Sequence, residues 1–489
     1  MLDIALIRTL AAIRGESNSY SPISRLPPEI LSKIFYHVPR AVEATPQIWP
    51  TSVMNSVDIV PTTLVCRRWY NVAINSTFLW NSIADDLSPR LRLQRSRGTP
   101  LNLLLFGKDH KVLREILTSG QPIRELHLDC RRLVDSTFEV ASAPELEALT
   151  LSYWEYHNRR TIFQEHTPRL QQLTLTRSLI PINSFPSLRR LCLCNTISPL
   201  LSLEDLLSCI SASPNLEDLI FSAIKIRVGT AEDASSKTHL ARLRTLTIKS
   251  FPLPQLDVFL SRLSFNPTVA TSVMTETERL VIPSTHLAFN FEQLSLWYWS
   301  NEARAVMSGP LTAIYTESDD VSDMWHFDLL HKFPLHHIRT LWVESCSSFG
   351  WQSIFPLLPA MTALSTLVIY VEHSICILEL FMQISDHVRP LCPSLSTLHL
   401  LVNEDGINNG ASIHQFVAFR AQVGYPLEEV VVETTYMLDE EGIRDSLAPY
   451  VRHIDIRSVE ELSMMSLPPI CTTELHRRWP SWTKDWRSL

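Results

Sequence analysis

The chain has 489 residues, of which 45% are hydrophobic and only 19% charged, below the ~25% charged of an average soluble protein, so it has much to bury. Its net charge of −8 and pI near 6.1 point away from nucleic acid and anionic membrane as general partners. No apolar run reaches the ~20 residues that span a bilayer; the nearest, Ser374 to Met382, is short and carries Glu379.

In chain order, Leu2, Leu6, Leu10 and Ile13 fall on one face of a helix over residues 1–20. Asp3 and Arg8 interrupt that apolar stretch and no small-residue cleavage site follows, so it does not read as a secretory signal. Three short helical segments follow within residues 21–84. They are Leu26-Pro27-Pro28-Glu29-Ile30-Leu31 with Ile34 and Phe35, Leu64-Val65-Cys66-Arg67-Arg68-Trp69-Tyr70, and Leu79-Trp80 with Ile83. Proline suits a first helical turn, and Pro61-Thr62-Thr63 and Ser76 supply the next two starts. Ile30, Leu31, Ile34, Phe35 and Val38 carry more apolar surface than a module of about sixty residues can hide, which implies a partner surface. The long connection from Pro39 to Pro61, with Trp49, reads as an insertion helix or a loose loop.

Residues 85–118 read as a linker helix and a first strand. The basic cluster Arg90, Arg92, Arg95 and Arg97, interleaved with Leu91 and Leu93, is either a solvated helix face or a phosphate-binding patch, the former being simpler. From 119 to 460 one phrase recurs: proline, an apolar residue, two variable positions, leucine, one variable position, another apolar residue. It stands at Pro144-x-Leu146-x-x-Leu149-x-Leu151, Pro168-x-Leu170-x-x-Leu173-x-Leu175, Pro186-x-Leu188-x-x-Leu191-x-Leu193, Pro214-x-Leu216-x-x-Leu219-x-Phe221 and Pro393-x-Leu395-x-x-Leu398-x-Leu400. Related phrases centre on Leu126, Leu246, Leu294, Leu341, Leu367, Val430 and Ile454. The two final apolar residues share one face of a short strand, and proline fits the strand start because it donates nothing to a ladder. Between phrases the period changes to helical: Leu203, Leu206, Leu207 and Ile210; Ile377, Leu380, Phe381 and Ile384; Ile413, Phe416 and Val417. Strand then helix, repeated, predicts a parallel sheet with helices outside. The central leucines are spaced 23, 24, 18, 28 and 27 residues apart through Leu246, and 26, 31, 32 and 24 from Leu341 to Ile454. Residues 262–325 are irregular, with only Leu294-x-Leu296 clear.

The variable residue between the two final apolar positions points away from the core. That series is His127, Thr150, Thr174, Cys192, Ile220, Thr247, Ser295, Trp342, Val368, His399, Val431 and Asp455, with Trp297 and Tyr370 one outward position further on. The aromatic grouping has the character of an interface core. Trp297, Trp342, Tyr370, Val368 and His399 are therefore candidate partner-binding residues. The alternative is self-packing, with the tail 461–489 and its Trp479, Trp482 and Trp486 folding back over that surface or capping the last repeat.

Searches for enzyme chemistry come up empty. With 11 glycines, none closer together than Gly406 and Gly410, no dinucleotide, P-loop or nucleophile-elbow motif is present. No two of the 17 histidines are four apart and no C-x-x-C occurs. Cys192 and Cys194 share a strand face without a second pair, and His326, His331, His336 and His337 read as loop polarity. No cofactor, metal or catalytic residue is expected. Glu440-Glu441 reads as the start of a helix opening at Asp439. Nine cysteines, odd in number and scattered from Cys66 to Cys471, suit a reducing, intracellular compartment, cytoplasmic or nuclear.

Taken together, L-P-P-E-I-L, I-F, V-C-R-x-W and L-W-x-x-I in this order resemble an F-box, in the variant common in fungi with large repeat-bearing C-terminal regions. The phrase from residue 119 resembles a degenerate leucine-rich repeat, with spacings scattered around that family's 20 to 29 residues. It departs where the family places Asn or Cys after the strand; Arg131, Trp154, Ser178 and Thr196 stand there, so the turns should be irregular. The resemblance implies an α/β protein: an all-α F-box-like module, then an irregular right-handed solenoid or horseshoe. It further implies that Leu26, Pro27, Ile30, Leu31, Ile34 and Val65 face the adaptor subunit of a cullin-RING ubiquitin ligase, with the repeats holding a protein target. A binding scaffold unrelated to ubiquitin is the alternative.

Overall fold

Helices precede a long series of short strands, and the polar groups of those strands decide what lies over them. The computed structural model describes residues 2–42, 48–84, 89–105, 110–129, 142–153, 163, 166–178, 180–181, 184–195, 202–227, 237–251, 253–266, 268–275, 291–299, 302–318, 334–345, 354–370, 378, 381–382, 384–385, 389–402, 410–476, 478–479 and 482. The chain divides into two compact units, Met1–Leu216 and Glu217–Leu489.

In the first unit, α1 (Leu2–Ser19) and α2 (Pro28–Tyr36) are followed by α3 (Val60–Thr63) and α4 (Arg67–Asn75). The helix expected over Leu64–Tyr70 is broken at Leu64-Val65-Cys66. Cys66 is extended and its sulfur accepts the Trp69 N–H at 3.5 Å, so it caps a new helix. The third expected helix is a single 3-10 turn, Thr77–Leu79, and Ile83 lies instead on strand β1 (Ser82–Ala84). Leu31, Phe35, Ile59, Ala73, Leu79 and Trp80 form the core of the module, with Trp69 packed against it. The Trp80 indole N–H donates to the Ala73 carbonyl at 2.8 Å.

From β1 the chain builds a parallel ladder through β2 (Leu101–Leu105), β3 (Ile123–Asp129), β4 (Ala148–Ser152), β5 (Gln172–Thr176) and β6 (Arg190–Cys194). It therefore begins at Ser82, upstream of the expected residue 119. Helices α5 (Pro89–Ser96), α6 (His110–Ser119) and α7 (Leu203–Ser211) lie between or after these strands. Leu126, Leu149, Leu173 and Leu191 are in register and buried, as are Leu128, Leu151, Leu175 and Leu193. The proline of each phrase is not at the strand start. In Ala143–Leu146, Thr167–Leu170 and Phe185–Leu188 it follows the carbonyl that accepts the leucine N–H, at 3.2, 3.2 and 3.1 Å, the second place of a β-turn, for which its fixed φ is suited.

The chain leaves three of these strands in the same way. Tyr153, Arg177 and Asn195, each directly after a strand, have φ of 61°, 49° and 51°. The Tyr153 and Arg177 N–H groups donate to Thr176 O and Cys194 O in the next strand, at 2.8 and 2.9 Å, which continues the ladder around the corner. The Ser178 hydroxyl donates to Leu151 O of β4 at 3.1 Å, which ties this turn to the neighbouring strand. Arg131, Trp154 and Thr196 lie outside the described residues. The basic cluster is no open patch: Arg92 is buried, Arg90 pairs with Glu115 at 3.2 Å, and Arg95 stacks 4.4 Å over the Trp80 ring.

Of the connection after Pro39, residues 39–42 and 48–61 are described: 48–55 is neither a helix nor a loose loop, and Ser56–Ile59 is a 3-10 turn that runs into α3. Trp49 and Val53 are buried, and the Val42 N–H donates to Val53 O at 2.9 Å. Ser82, Asn102 and Glu125 occupy one register row across β1, β2 and β3, and all three hold this segment by its backbone. The Met54 N–H donates to Ser82 Oγ at 3.1 Å, Asn102 Nδ2 donates to Ser52 O at 3.2 Å, and the Ser52 N–H donates to the Glu125 carboxylate at 2.9 Å. The Thr51 hydroxyl also donates to Glu125, at 2.8 Å, and His127 Nε2 lies 3.5 Å from the same carboxylate.

The second unit contains β7 (Asp218–Ser222), β8 (Thr238–Leu240), β9 (Thr245–Lys249), α8 (Leu253–Ser261), β10 (Leu263–Phe265) and β11 (Ala270–Thr275). Then come β12 (Gln293–Trp299), β13 (Glu302–Ser308), β14 (Ala313–Ser318), β15 (Thr340–Ser345) and β16 (Thr366–Tyr370). The remainder is β17 (Ile384–Ser385), β18 (Arg389–Pro390), β19 (Thr397–Val402), α9 (Gly410–Gln422), β20 (Glu429–Thr434), α10 (Glu440–Leu447), β21 (His453–Ser458) and α11 (Pro469–Thr472). The order in space is β7, β9, β11, β14, β13, β12, β15, β16, β19, β20, β21. All neighbours are parallel except β14 with β13 and β13 with β12. Within the stretch 262–325, read from sequence only as irregular, β12, β13 and β14 form an antiparallel meander. Leu294, Leu341, Leu367, Leu398, Val430 and Ile454 share one row on the inner face, over a core that includes Leu357, Phe416 and Val417. Asp439 caps α10, its Oδ1 accepting the Gly442 N–H at 3.1 Å. Of the stripe 377–384, Phe381 is buried but Ile384 pairs as a strand with Pro390.

Burial alone would raise the Glu125 carboxyl, but the bonds from His127, Ser52 and Thr51 outweigh it and hold the group down at about 2 against an ordinary 4.5. A lowered folded value means that the clamp contributes fully above the ordinary carboxylate range and is lost as pH falls toward 2. Glu125→Gln should cost up to about 3 kcal/mol at neutral pH, the worth of that displacement. Urea titrations should show this cost fading between pH 5 and 2, and an equal cost at pH 7 and pH 3 would refute the clamp.

Candidate functional site

On α2 two stripes run side by side. Leu31 and Phe35 turn into the module core, while Ile30 and Ile34 are exposed, continuing the line of exposed Pro27. Leu31 is therefore not available to a partner, contrary to the reading from sequence. It is four residues from Phe35 and so shares its face, closed over by Ile59, Ala73 and Trp80. Leu26 is half-buried, and its carbonyl accepts a bond from the Arg68 guanidinium, which ties the start of α2 to the start of α4. Val65 lies in the break between α3 and α4, 52% exposed, beside Leu64 at 79%. The sequence reading missed Leu64, together with exposed Val57 and Val60. Ile59 between them is wholly buried, so polarity alone could not have separated the two faces.

The aromatic face of the second unit is covered by its own chain. Ser295, Trp342, Val368, His399 and Val431 form one outward row. The outward residues Ala270, Val306, Ala313 and Tyr315, with Trp342 at their margin, pack against Met465, Leu467, Ile470, Cys471, Trp479 and Trp482. Val368 and Leu401, with Trp342 and Tyr370, pack against Val459 and Leu462. Val368 is 2% exposed and Trp479 and Trp482 are buried, so the self-packing alternative describes this face and Trp342, Tyr370 and Val368 are not a bare binding surface. The tail reaches across the strands and does not cap the last one. Trp297 lies under the Arg304 guanidinium at 4.5 Å, and Arg304 pairs with Glu317 at 2.7 Å.

His399 belongs to the latch at the start of this cover. Its Nε2 lies 3.2 Å from Glu433 Oε1, and burial pushes its pKa down against the pull of Glu433. Burial would raise the Glu433 carboxyl, yet the Ser463 hydroxyl and N–H, each donating at 2.8 Å, with His399 and Arg457 nearby, bring it below the ordinary value. These groups fasten residues 459–463.

Nothing in these surroundings activates a nucleophile. Burial pushes the Cys209 and Cys392 thiols up to about 12, and that of Cys471 upward as well, so they stay protonated at neutral pH. Cys192 and Cys194 lie with their sulfurs 3.2 Å apart, both buried. Among the described residues no three His, Cys, Asp or Glu side chains could hold a metal ion, and no helix is long and apolar enough to cross a membrane. His336 and His337 are exposed in a 3-10 turn; His326 and His331 lie outside the described residues.

Because Trp479 is wholly buried, Trp479→Ala should cost ~3–5 kcal/mol, and half-buried Trp342→Ala roughly 2 kcal/mol. Chemical denaturation measures both. A Trp342→Ala chain as stable as the parent would restore that residue to the candidate binding surface.

No curated protein matches the sequence. A family model described as F-box-like matches residues 23–85, the span that runs from the turn before α2 to the end of β1. The chain therefore carries an F-box-like domain at its N-terminal end.

Proposed function

We propose that the protein is a substrate-receptor subunit of a cullin-RING ubiquitin ligase of the SCF type. F-box domains generally bind the ligase adaptor and through it the cullin. The observation that carries the reading is the concentration of exposed apolar side chains, Ile30, Ile34, Val60, Leu64 and Val65, within the matched span. A solitary exposed leucine needs no explanation, but a contiguous family of them marks an interaction site.

In this reading the strand ladders are a degenerate leucine-rich-repeat domain that holds a protein target. The chain's contribution is proximity, because keeping a target lysine near a reactive thioester raises effective concentration; no residue of this chain has to be catalytic. The target does not meet the Trp342 row directly, since residues 459–482 lie over it.

Ile34→Asp and Leu64→Asp alter side chains already in water, so thermal stability should be unchanged in the free chain. Each places a charge against the adaptor and should weaken copurification with it by roughly tenfold or more. Undiminished copurification of the double variant would refute adaptor docking through this surface and favour a scaffold unrelated to ubiquitin.

A further inference from the structure

β21 is bonded along one side only. The His453 N–H donates to Glu428 O at 3.0 Å and the Val459 N–H to Thr434 O at 2.9 Å, both toward β20. Backbone groups of successive strand residues point to alternate sides, so the N–H and C=O groups of Ile454, Ile456 and Ser458 face the other edge. Among the described residues no strand pairs with that edge. Its burial matches: none of its six residues is buried, whereas β19 and β20 are mostly buried. Residues 459–463 continue onto the outward face of the sheet. Among the described residues the edge is met by Arg444, whose guanidinium donates to Ile454 O at 2.8 Å.

The side chains say what fits there. Asp455 and Arg457 flank Ile456 on the outward face and pair with each other, Arg457 Nε donating to Asp455 Oδ2 at 2.6 Å with Glu433 3.8 Å from the same guanidinium, so a copy would exchange this pair for one across the seam; Ile454 and Ile456 lie half-buried at the margin of the inner core. A second strand of the same sequence, laid antiparallel and centred on Ile456, sets Asp455 against Arg457 of the copy on both sides of the centre. It also sets Ile454 against Ser458, with the Ile454 carbonyl shared between Arg444 and the Ser458 N–H of the copy, and brings the two Ile456 side chains together. Parallel pairing of two identical strands would place like charges side by side. We propose that β21 is a self-complementary edge, joining two copies of this chain in a two-fold dimer. The proposal does not depend on the adaptor reading.

Sedimentation of the full chain over two decades of concentration should show a reversible shift from one chain to two. Asp455→Arg puts arginines opposite each other and should weaken the dimer by roughly tenfold or more. Arg457→Asp should do the same, and the two variant chains mixed should pair with each other. Ser458→Pro removes, from an exposed residue, an N–H that points to the free edge, where proline is tolerated, and should abolish the dimer with the melting temperature little changed. A chain monomeric at every concentration would overturn the proposal. So would a dimer that Asp455→Arg, folded as the parent by circular dichroism, leaves intact.

Discussion

A parallel ladder must be buried on both faces, because it has helices or chain on each side or it leaves an apolar surface in water. That constraint organises the whole protein. On the inner face the rows of leucine meet helices such as α9, where Phe416 and Val417 are fully buried. On the outer face the cover differs between the units. In the first unit residues 48–56 are held by backbone bonds to polar strand residues; in the second, residues 459–463 are fastened through Glu433 and the described residues from Met465 to Trp482 pack by apolar side chains around Trp479. The outward residues follow suit: Ser82, Asn102 and Glu125 where backbone must be satisfied, Val306, Tyr315 and Trp342 where side chains must be buried.

Much of this was legible. The leucine phrase identified β4 to β6 and β15, β16, β19, β20 and β21, because two apolar residues two apart need one buried face; β17 was missed, since Ile384 was read into a helical stripe. The cap Asp439 stood where the acidic pair Glu440-Glu441 opens a helix. The break at Cys66 was not legible, since a sulfur cap leaves no recognised signature and Leu64 to Tyr70 keeps helical spacing. The meander was missed because the search followed the parallel phrase. Yet its two runs of seven residues, Gln293–Trp299 and Glu302–Ser308, are separated by two residues, the spacing of a hairpin, and Gly309-Pro310 marks the next turn.

The candidate site was half legible for one reason. Alternation along a strand assigns each residue to a face but says nothing of what lies over that face. Trp342 was correctly placed outward, and the step from outward to solvent-exposed was the error; its cover begins more than a hundred residues further along the chain. On α2 the same limit applied at smaller scale, where Leu31 and Ile30 differ only by one position around a helix and fall on opposite sides of the boundary between core and surface.

The polar clamp has a further physical consequence for how the F-box-like module is carried. Segment 48–56 leads directly into Ile59, part of the module core, and its backbone is bonded to β1, β2 and β3. Module and first strands are thus joined through space as well as along the chain. Glu125, held at about 2, is ionised throughout the physiological range, so the bond to the Ser52 N–H is charge-assisted and does not titrate there. The bonds that tie segment 48–56 to the first strands therefore keep their charge state across that range.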